Sequence, residues 1–340
     1  MDNLARAATD SSDAEVMQHY LREILLSPVY QAAVETPLDE MHKLSARLGQ
    51  QVLLKREDKQ PVYSFKLRGA FHKLHKVQQQ QPDAKVICAS AGNHAQGVAL
   101  SASKLGLNAT IVMPITTPEI KVAAVKALGG NVVLHGTAFD EANSYAINLA
   151  NTEGAVYIPP FDDSDVIAGQ GTVAKELLSQ HNQLNAVFIP VGGGGLMAGM
   201  AVYIKAIQPN VKVIGVEPED AACLKAALDA GAPVTLERVG LFADGVAVKR
   251  IGTENFNLAR RFCDEVVTVS SDRIDFKKPI PAGTIIELVG KVSYIGNTSI
   301  KVRVDIYIEE MYEDKRYMAV GGDFTFVAID ENKKPVKIVA

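Results

Sequence analysis

Residues 86–97 read V-I-C-A-S-A-G-N-H-A-Q-G. The first four are apolar without alternation, the pattern of a strand buried on both faces. Ser90, Ala91, Gly92 and Asn93 are small or turn-forming, and they lead into an alanine-rich helical stretch. Strand, tight turn and helix in this order make one βα unit. Such a turn leaves backbone N–H groups free at the helix start, where they can hold a carboxylate or phosphate. The Asn93 side chain suits either a phenolic oxygen of a ligand or a plain helix cap.

The same rhythm extends outward from this unit. Strands are predicted at residues 52–55, 109–113, 132–135, 156–158, 187–190, 211–216 and 266–269, with helical stretches such as 120–128 and 141–151 between them. The expectation is an α/β fold of open, twisted, mostly parallel sheets with flanking helices. The glutamine run at 78–81 reads as a solvated helix end. After about residue 275 the pattern changes. Ile300, Val302, Val304, Ile306 and Ile308 alternate with polar residues and Tyr307, which is the period of a strand with one buried face. Similar strands at 284–294 and 317–329, with turns at 296–297 and 313–314, predict a C-terminal antiparallel β segment.

Two more motifs bear on chemistry. S-F-K-L-R-G-A at 64–70 places Lys66 at a helix start. A lysine there is usually a solvated cation, but a lysine can also hold an aldehyde cofactor as a Schiff base. V-G-G-G-G-L at 191–196 follows a predicted strand. Four glycines let the backbone wrap an anion, although no Lys-Ser/Thr follows as in a P-loop and the spacing is not that of a dinucleotide fingerprint.

Composition narrows the class. The chain has 340 residues, 47% hydrophobic and 22% charged, with a net charge of −4. That suits about two domains and argues against nucleic-acid partners. Three dispersed cysteines suit a reducing compartment rather than a disulfide framework, and none has metal-ligand spacing. The N-terminus lacks a signal-peptide pattern and no apolar run has the length of a membrane span, so a cytoplasmic protein with no membrane partner is expected. No metal site is expected; Glu217 and Asp220 read as capping or solvated acids.

The three motifs, with K-R-E-D at 55–58, P-P-F-D at 159–162, G-Q-G-T at 169–172 and V-G-L-F-A-D-G-V-A-V-K-R at 239–250, resemble the fold-type II pyridoxal-phosphate enzymes. Over residues 18–272 the resemblance is to the threonine dehydratase (threonine ammonia-lyase) family. It implies pyridoxal 5'-phosphate as cofactor and dehydration and deamination of L-threonine or L-serine, giving 2-oxobutanoate and ammonia from threonine in isoleucine biosynthesis. Lys66 would carry the cofactor and remove the α-proton. Phe65 would pack beside it, Asn93 would hold its ring hydroxyl, and Gly192, Gly193, Gly194, Gly195 and Leu196 would hold its phosphate. Ser90, Ala91, Gly92 and His94 would bind the substrate, largely through backbone N–H groups. Racemases of this fold carry a serine where Ala91 stands, so elimination is expected over racemisation. Relatives of this kind are homo-oligomers.

The resemblance also implies an organisation. Residues 1–17 would be a flexible N-terminus, 18–62 and 160–272 a larger domain, and 63–159 a smaller one. The larger domain is expected to be truncated, because the family's S-G-A-N-type motif is missing. Residues 279–292, 296–302 and 322–330 instead resemble the second half of a hot-dog-fold acyl-CoA thioesterase, which makes 275–340 a partial hot-dog-like segment with unpaired strand edges and a junction near 270–275. That part lacks the helix and carboxylate of thioesterase chemistry. The alternatives are an inactive or cofactor-binding-only junction protein and, below it, an acyl-CoA thioesterase.

Overall fold

A computed structural model describes residues 11–240, 243–269, 284–296, 299–310 and 316–327. The chain divides into two units, Met1–Ser271 and Asp272–Ala340. In the first, helix α1 (Ser11–Leu25) precedes β1 (Leu38–Glu40), α2 (His42–Leu48), β2 (Leu53–Lys55), α3 (Lys66–Gln80), β3 (Lys85–Ala89) and α4 (Asn93–Leu105). There follow β4 (Asn108–Met113), α5 (Glu119–Ala127), β5 (Asn131–Leu134), α6 (Phe139–Glu153), β6 (Val156–Tyr157) and α7 (Ser164–Gln180). The unit ends with β7 (Ala186–Pro190), α8 (Gly195–Ile207), β8 (Lys212–Pro218), α9 (Cys223–Ala230), α10 (Thr253–Phe262) and β9 (Glu265–Val269).

Two parallel sheets result, ordered β5-β4-β3-β6 and β7-β8-β9. The central strand β3 shows why its sequence does not alternate. Val86 and Cys88 pack with residues of α3, α4 and α5, while Ile87 and Ala89 pack with Ala142, Ala146 and Ala150 of α6. Both faces are covered, so both must be apolar. The strands β5, β7 and β9 lie at sheet edges and remain partly exposed, and Phe188 of β7 is exposed. The reading of every such strand as fully buried is corrected there.

Two further expectations are corrected. Residues 52–55 do not join a parallel sheet; β2 pairs antiparallel with β1, and Leu54 is exposed. A three-residue apolar run carries too little period to distinguish the two cases. The N-terminal stretch is helical from Ser11, with Tyr20 and Ile24 of α1 buried in the core that also contains α7 and α8.

Helices α3, α7 and α8 stack through small residues. A Cβ on Gly169 of α7 would lie 2.6 Å from Gly69 Cα of α3. A Cβ on Gly199 of α8 would lie 2.7 Å from Gly171 N of α7. The G-Q-G-T stretch therefore sets the spacing between the helix that begins at Lys66 and the helix that begins at the glycine run. Gly169→Ala is expected to cost about 1–3 kcal/mol, because backbone rather than a flexible side chain must give way. Urea melts of the two proteins check this, and an unchanged midpoint would contradict the contact.

The second unit is a three-stranded antiparallel sheet of β10 (Thr284–Ile295), β11 (Ser299–Glu310) and β12 (Arg316–Val327), in that order. Ile306 and Ile308 are buried, as the alternation predicts, and the outer strands β10 and β12 each pair on one side within this sheet. The expected turns at 296–297 and 313–314 and the junction near 270–275 lie wholly or partly outside the described residues.

Candidate functional site

Lys66 is the first residue of α3, and Phe65 before it packs against the core that contains Val191 and Met197. The chain reaches Lys66 through Tyr63, whose φ of 56° is the one left-handed value among described non-glycine residues. A bulky residue rarely adopts that conformation, and such strain clusters at functional sites. Lys66 keeps some solvent exposure, but protein surrounds its amine, and among the described residues no carboxylate pairs with it. Burial lowers its pKa to about 8, which raises the share of neutral, nucleophilic amine near neutrality.

That shift has a testable sign. Between pH 8 and 10.5 the folded chain binds fewer protons at Lys66 than the unfolded chain, so stability rises with pH across this window. Below pH 8 the buried charge opposes folding. In cofactor-free protein, Lys66→Met is expected to add up to about 3 kcal/mol at pH 7 and to lose that advantage by about pH 10.5. Urea melts at the two pH values check it; an equal gain at both would assign the effect to packing.

Helix α4 brings the second motif to Lys66. A Cβ on Gly97 would lie 3.2 Å from the Lys66 carbonyl oxygen, so the two helices meet at backbone distance. His94 is buried, and its Nε2 lies 3.1 Å from the Ile158 carbonyl oxygen. A carbonyl only accepts, so Nε2–H donates. Burial, helped by the Lys66 charge, lowers the His94 pKa to about 3. The ring is neutral and held, consistent with a positioning role. Ser90, Ala91 and Gly92 are half-buried and Asn93 is exposed, and a Cβ on Gly92 would meet only open space. The Gly92 N–H donates to Ser90 Oγ at 3.2 Å.

The glycine run joins β7 to α8. A Cβ on Gly193 would lie 2.3 Å from Phe161 Cγ and Cδ1, and one on Gly192 would lie 3.0 Å from Val246 Cα. Beneath the run, Asn255 Nδ2 donates to the Gly193 carbonyl at 2.7 Å and to the Phe161 carbonyl at 3.2 Å, while the Gly252 N–H donates to Gly193 at 3.1 Å. These bonds turn the Gly193 carbonyl inward to protein. Leu196 is half-buried at the first turn of α8.

Carboxylates cap several of the helix starts. Asp163 accepts from N–H groups at the start of α7, Glu217 from Leu224 and Lys225 of α9, and Asp162 from Thr253 and Glu254 of α10. Glu217 is thus a cap. Helices α4 and α8, which begin at the second and third motifs, have no side-chain cap and no such carboxylate among the described residues, and their N–H groups and partial positive charge are left for an anion. At the start of α3, by contrast, the Lys66 N–H donates to Ser64 Oγ at 3.3 Å and the Gly69 N–H to Gln170 Oε1 at 3.2 Å.

Sequence reasoning missed the supports. Arg68, two residues after Lys66, is 0% exposed. It donates to Glu57 at 2.7 and 2.8 Å, to Glu176 at 2.5 and 2.9 Å and to Thr172 at 3.2 Å. Lys55 donates to Glu176 at 2.6 Å. Burial pushes the Glu176 carboxyl up, but Arg68 and Lys55 outweigh it and hold it below the usual range. Phe161 and Lys55 stood in quoted motifs; Asn255 carried no motif signal. Two surface hollows, one at Leu38, Leu53 and His181 and one at Leu184, Ile207 and Val211, are lined by none of the motif residues.

Comparison with known proteins agrees with this geometry. Residues 29–275 match the family described as pyridoxal-phosphate dependent enzyme, and residues 245–315 match the thioesterase superfamily. The second match begins upstream of the expected junction and overlaps the first. The biosynthetic L-threonine dehydratase of Escherichia coli (strain K12) is 59% identical over 255 residues, 75% of this chain and 50% of that protein. The processed form of threonine deaminase isoform 2 from Solanum lycopersicum superposes with a TM-score of 0.75 at 52% identity, covering 77% of this chain and 75% of that one. Maize serine racemase superposes with a TM-score of 0.71 at 31% identity, covering 74% and 76%. The chain spans about half the length of the curated relatives it matches. With the family match covering most of its length, the chain belongs to the pyridoxal-phosphate-dependent enzyme family.

Proposed function

We propose that the chain catalyses dehydration and deamination of L-threonine, and more slowly of L-serine, as a pyridoxal-phosphate-dependent ammonia-lyase, releasing 2-oxobutanoate and ammonia from threonine. The observation that carries the reading is the desolvated amine of Lys66, with no carboxylate partner among the described residues, beside the uncapped helices α4 and α8. The residues present fit the cofactor. Any side chain at Gly193 would collide with the Phe161 ring, which keeps the run bare backbone, and its N–H groups at the start of α8 suit a phosphate. In this reading residues 192–196 hold the phosphate, Phe65 packs beside the ring and Asn93 takes the ring hydroxyl. When bound, pyridoxal phosphate supplies an electron sink that acidifies the substrate Cα–H.

The chain's own groups do the rest. The N–H groups of Ala91, Asn93 and His94 bind the substrate carboxylate, since the Ser90 N–H donates to the Val112 carbonyl and the Gly92 N–H to Ser90 Oγ. The depressed pKa of Lys66 lets its amine accept the Cα proton near neutral pH. His94 donates to Ile158 and stays neutral, so it orients the loop rather than moving a proton. Ala91 offers no proton to the opposite face, which favours elimination over racemisation. Threonine and serine differ by one methyl group, worth about 1–3 kcal/mol in an apolar pocket. The partition into residues 63–159 and a larger body of 18–62 and 160–272, a homo-oligomeric state and a cytoplasmic location complete the proposal. Among the described residues no helix is long and apolar enough to cross a membrane.

Purified chain with pyridoxal phosphate and L-threonine is expected to release equal amounts of ammonia and 2-oxobutanoate, to form no D-amino acid, and to lose turnover in Lys66→Ala. A second reading, cofactor binding without turnover, is favoured by the family match ending at residue 275. A Lys66-dependent spectral band without ammonia release would select it.

A further inference from the structure

One ring nitrogen in the body of α3 has no partner. His72 is 2% exposed, its Nδ1 lies 2.6 Å from Ser27 Oγ, and its buried Nε2 makes no hydrogen bond. Leaving such an atom unpaired carries an uncompensated desolvation cost. Nε2 faces Glu23 Oε2 at 3.7 Å, and one ligand atom from each of Glu23, His72 and Asp165 lies within 4.8 Å of the others. The three residues come from three different helices, α1, α3 and α7. Two lysines attend the carboxylates. The Lys76 ammonium pairs with Glu23 and lies 2.7 Å from Asp165 Oδ1, and Lys73 lies 3.0 Å from Asp165 Oδ2 and 2.8 Å from Asp163.

We propose that Glu23, His72 and Asp165 form a site for a borderline divalent transition cation such as Zn2+, whose place the Lys76 ammonium takes when no metal is bound. One imidazole nitrogen and two carboxylate oxygens make a donor set that suits such an ion and leaves positions for water. The hard ions Mg2+ and Ca2+ prefer all-oxygen sets. Ser27 holds the ring by its other nitrogen, as an outer partner of a metal-binding histidine does. Burial, and next the Lys76 charge, lower the His72 pKa to about 4, which keeps the ring neutral and able to ligate. The Glu23 carboxyl is held below its usual range chiefly by Lys76. For Asp165, burial pushes upward, but the two lysines prevail. Both carboxylates are therefore charged.

Lys76 is partly exposed on an unbranched stem, so its ammonium can swing to solvent and yield its place to a dication. The metal then ties α1 to α3 and α7. His72 lies six residues after Lys66, about 9 Å along the helix, so the site is separate from the catalytic lysine.

Calorimetric titration of the purified full chain with Zn2+ tests the proposal, with Mg2+ as comparison. Wild type is expected to take up one Zn2+ at a site that His72→Gln weakens at least tenfold. Lys76→Met, which removes the resident cation, is expected to tighten it at least tenfold, with a parallel rise of a few degrees in melting temperature on adding Zn2+. Equal Zn2+ affinity in wild type and His72→Gln, no tightening in Lys76→Met, or equal binding of Mg2+ would overturn it. Should His72→Gln fail to fold, Glu23→Gln on a partly exposed side chain takes its place with the same expected loss.

Discussion

Replacing Arg68 by alanine is expected to destabilise the first unit by about 3–5 kcal/mol, because it leaves buried carboxylates without their main partner. Glu57 and Glu176 both bond the guanidinium; without it, among the described residues, Glu176 keeps Lys55 and the Thr36 N–H, while Glu57 keeps only the neutral donors Thr36 Oγ1 and Gln60 Nε2. The loss is larger than for an exposed ion pair, since the Arg68 side chain is wholly buried and the Glu176 side chain nearly so. Arg68→Lys keeps the charge but not the planar fork, so it is expected to recover only part of the loss. Because Arg68 sits two residues after Lys66, both variants are expected to weaken cofactor retention as well as stability. Urea melts with and without cofactor check this. A loss below 1 kcal/mol for Arg68→Ala would mean that the network does not hold α3 to α7.

Gly193→Ala is expected to act on the cradle with less effect on the rest of the fold. The added methyl would lie 2.3 Å from the Phe161 ring atoms, and the Asn255 bond to the Gly193 carbonyl resists any shift of the loop. Overpacking of this kind costs about 1–3 kcal/mol. If that strain falls on the loop in its binding shape, cofactor affinity falls roughly tenfold to a hundredfold. Equilibrium titration with pyridoxal phosphate, beside a circular-dichroism melt, separates the two effects. Unchanged affinity would show that the glycine run serves packing alone.

Much of this arrangement is legible in the sequence, for physical reasons. A parallel sheet covered on both faces makes β3 and β4 continuous apolar runs, and these stand out at almost their observed lengths. Turns that must leave N–H groups free are built from small residues, so the loops before α4 and α8 are visible as motifs. The alternation at 300–308 likewise announces β11. What sequence could not show is what depends on contacts between distant segments. Arg68 looks like an ordinary helical cation until α7 supplies Glu176. Asn255 lies in an unremarkable helix, yet its amide reaches the carbonyls of Phe161 and Gly193. The strand β1 is three residues long and becomes a strand only because β2 pairs with it. His72 reads as one polar position on a helix, and only the packing of α1 and α7 sets carboxylates before it.

The central claim is that this chain holds pyridoxal phosphate through Lys66. The visible absorbance spectrum of the purified full chain with pyridoxal phosphate, recorded beside Lys66→Ala, tests it most directly. The wild type is expected to show a band that L-threonine shifts and that Lys66→Ala abolishes. A spectrum that is the same in both proteins and matches free cofactor would contradict it.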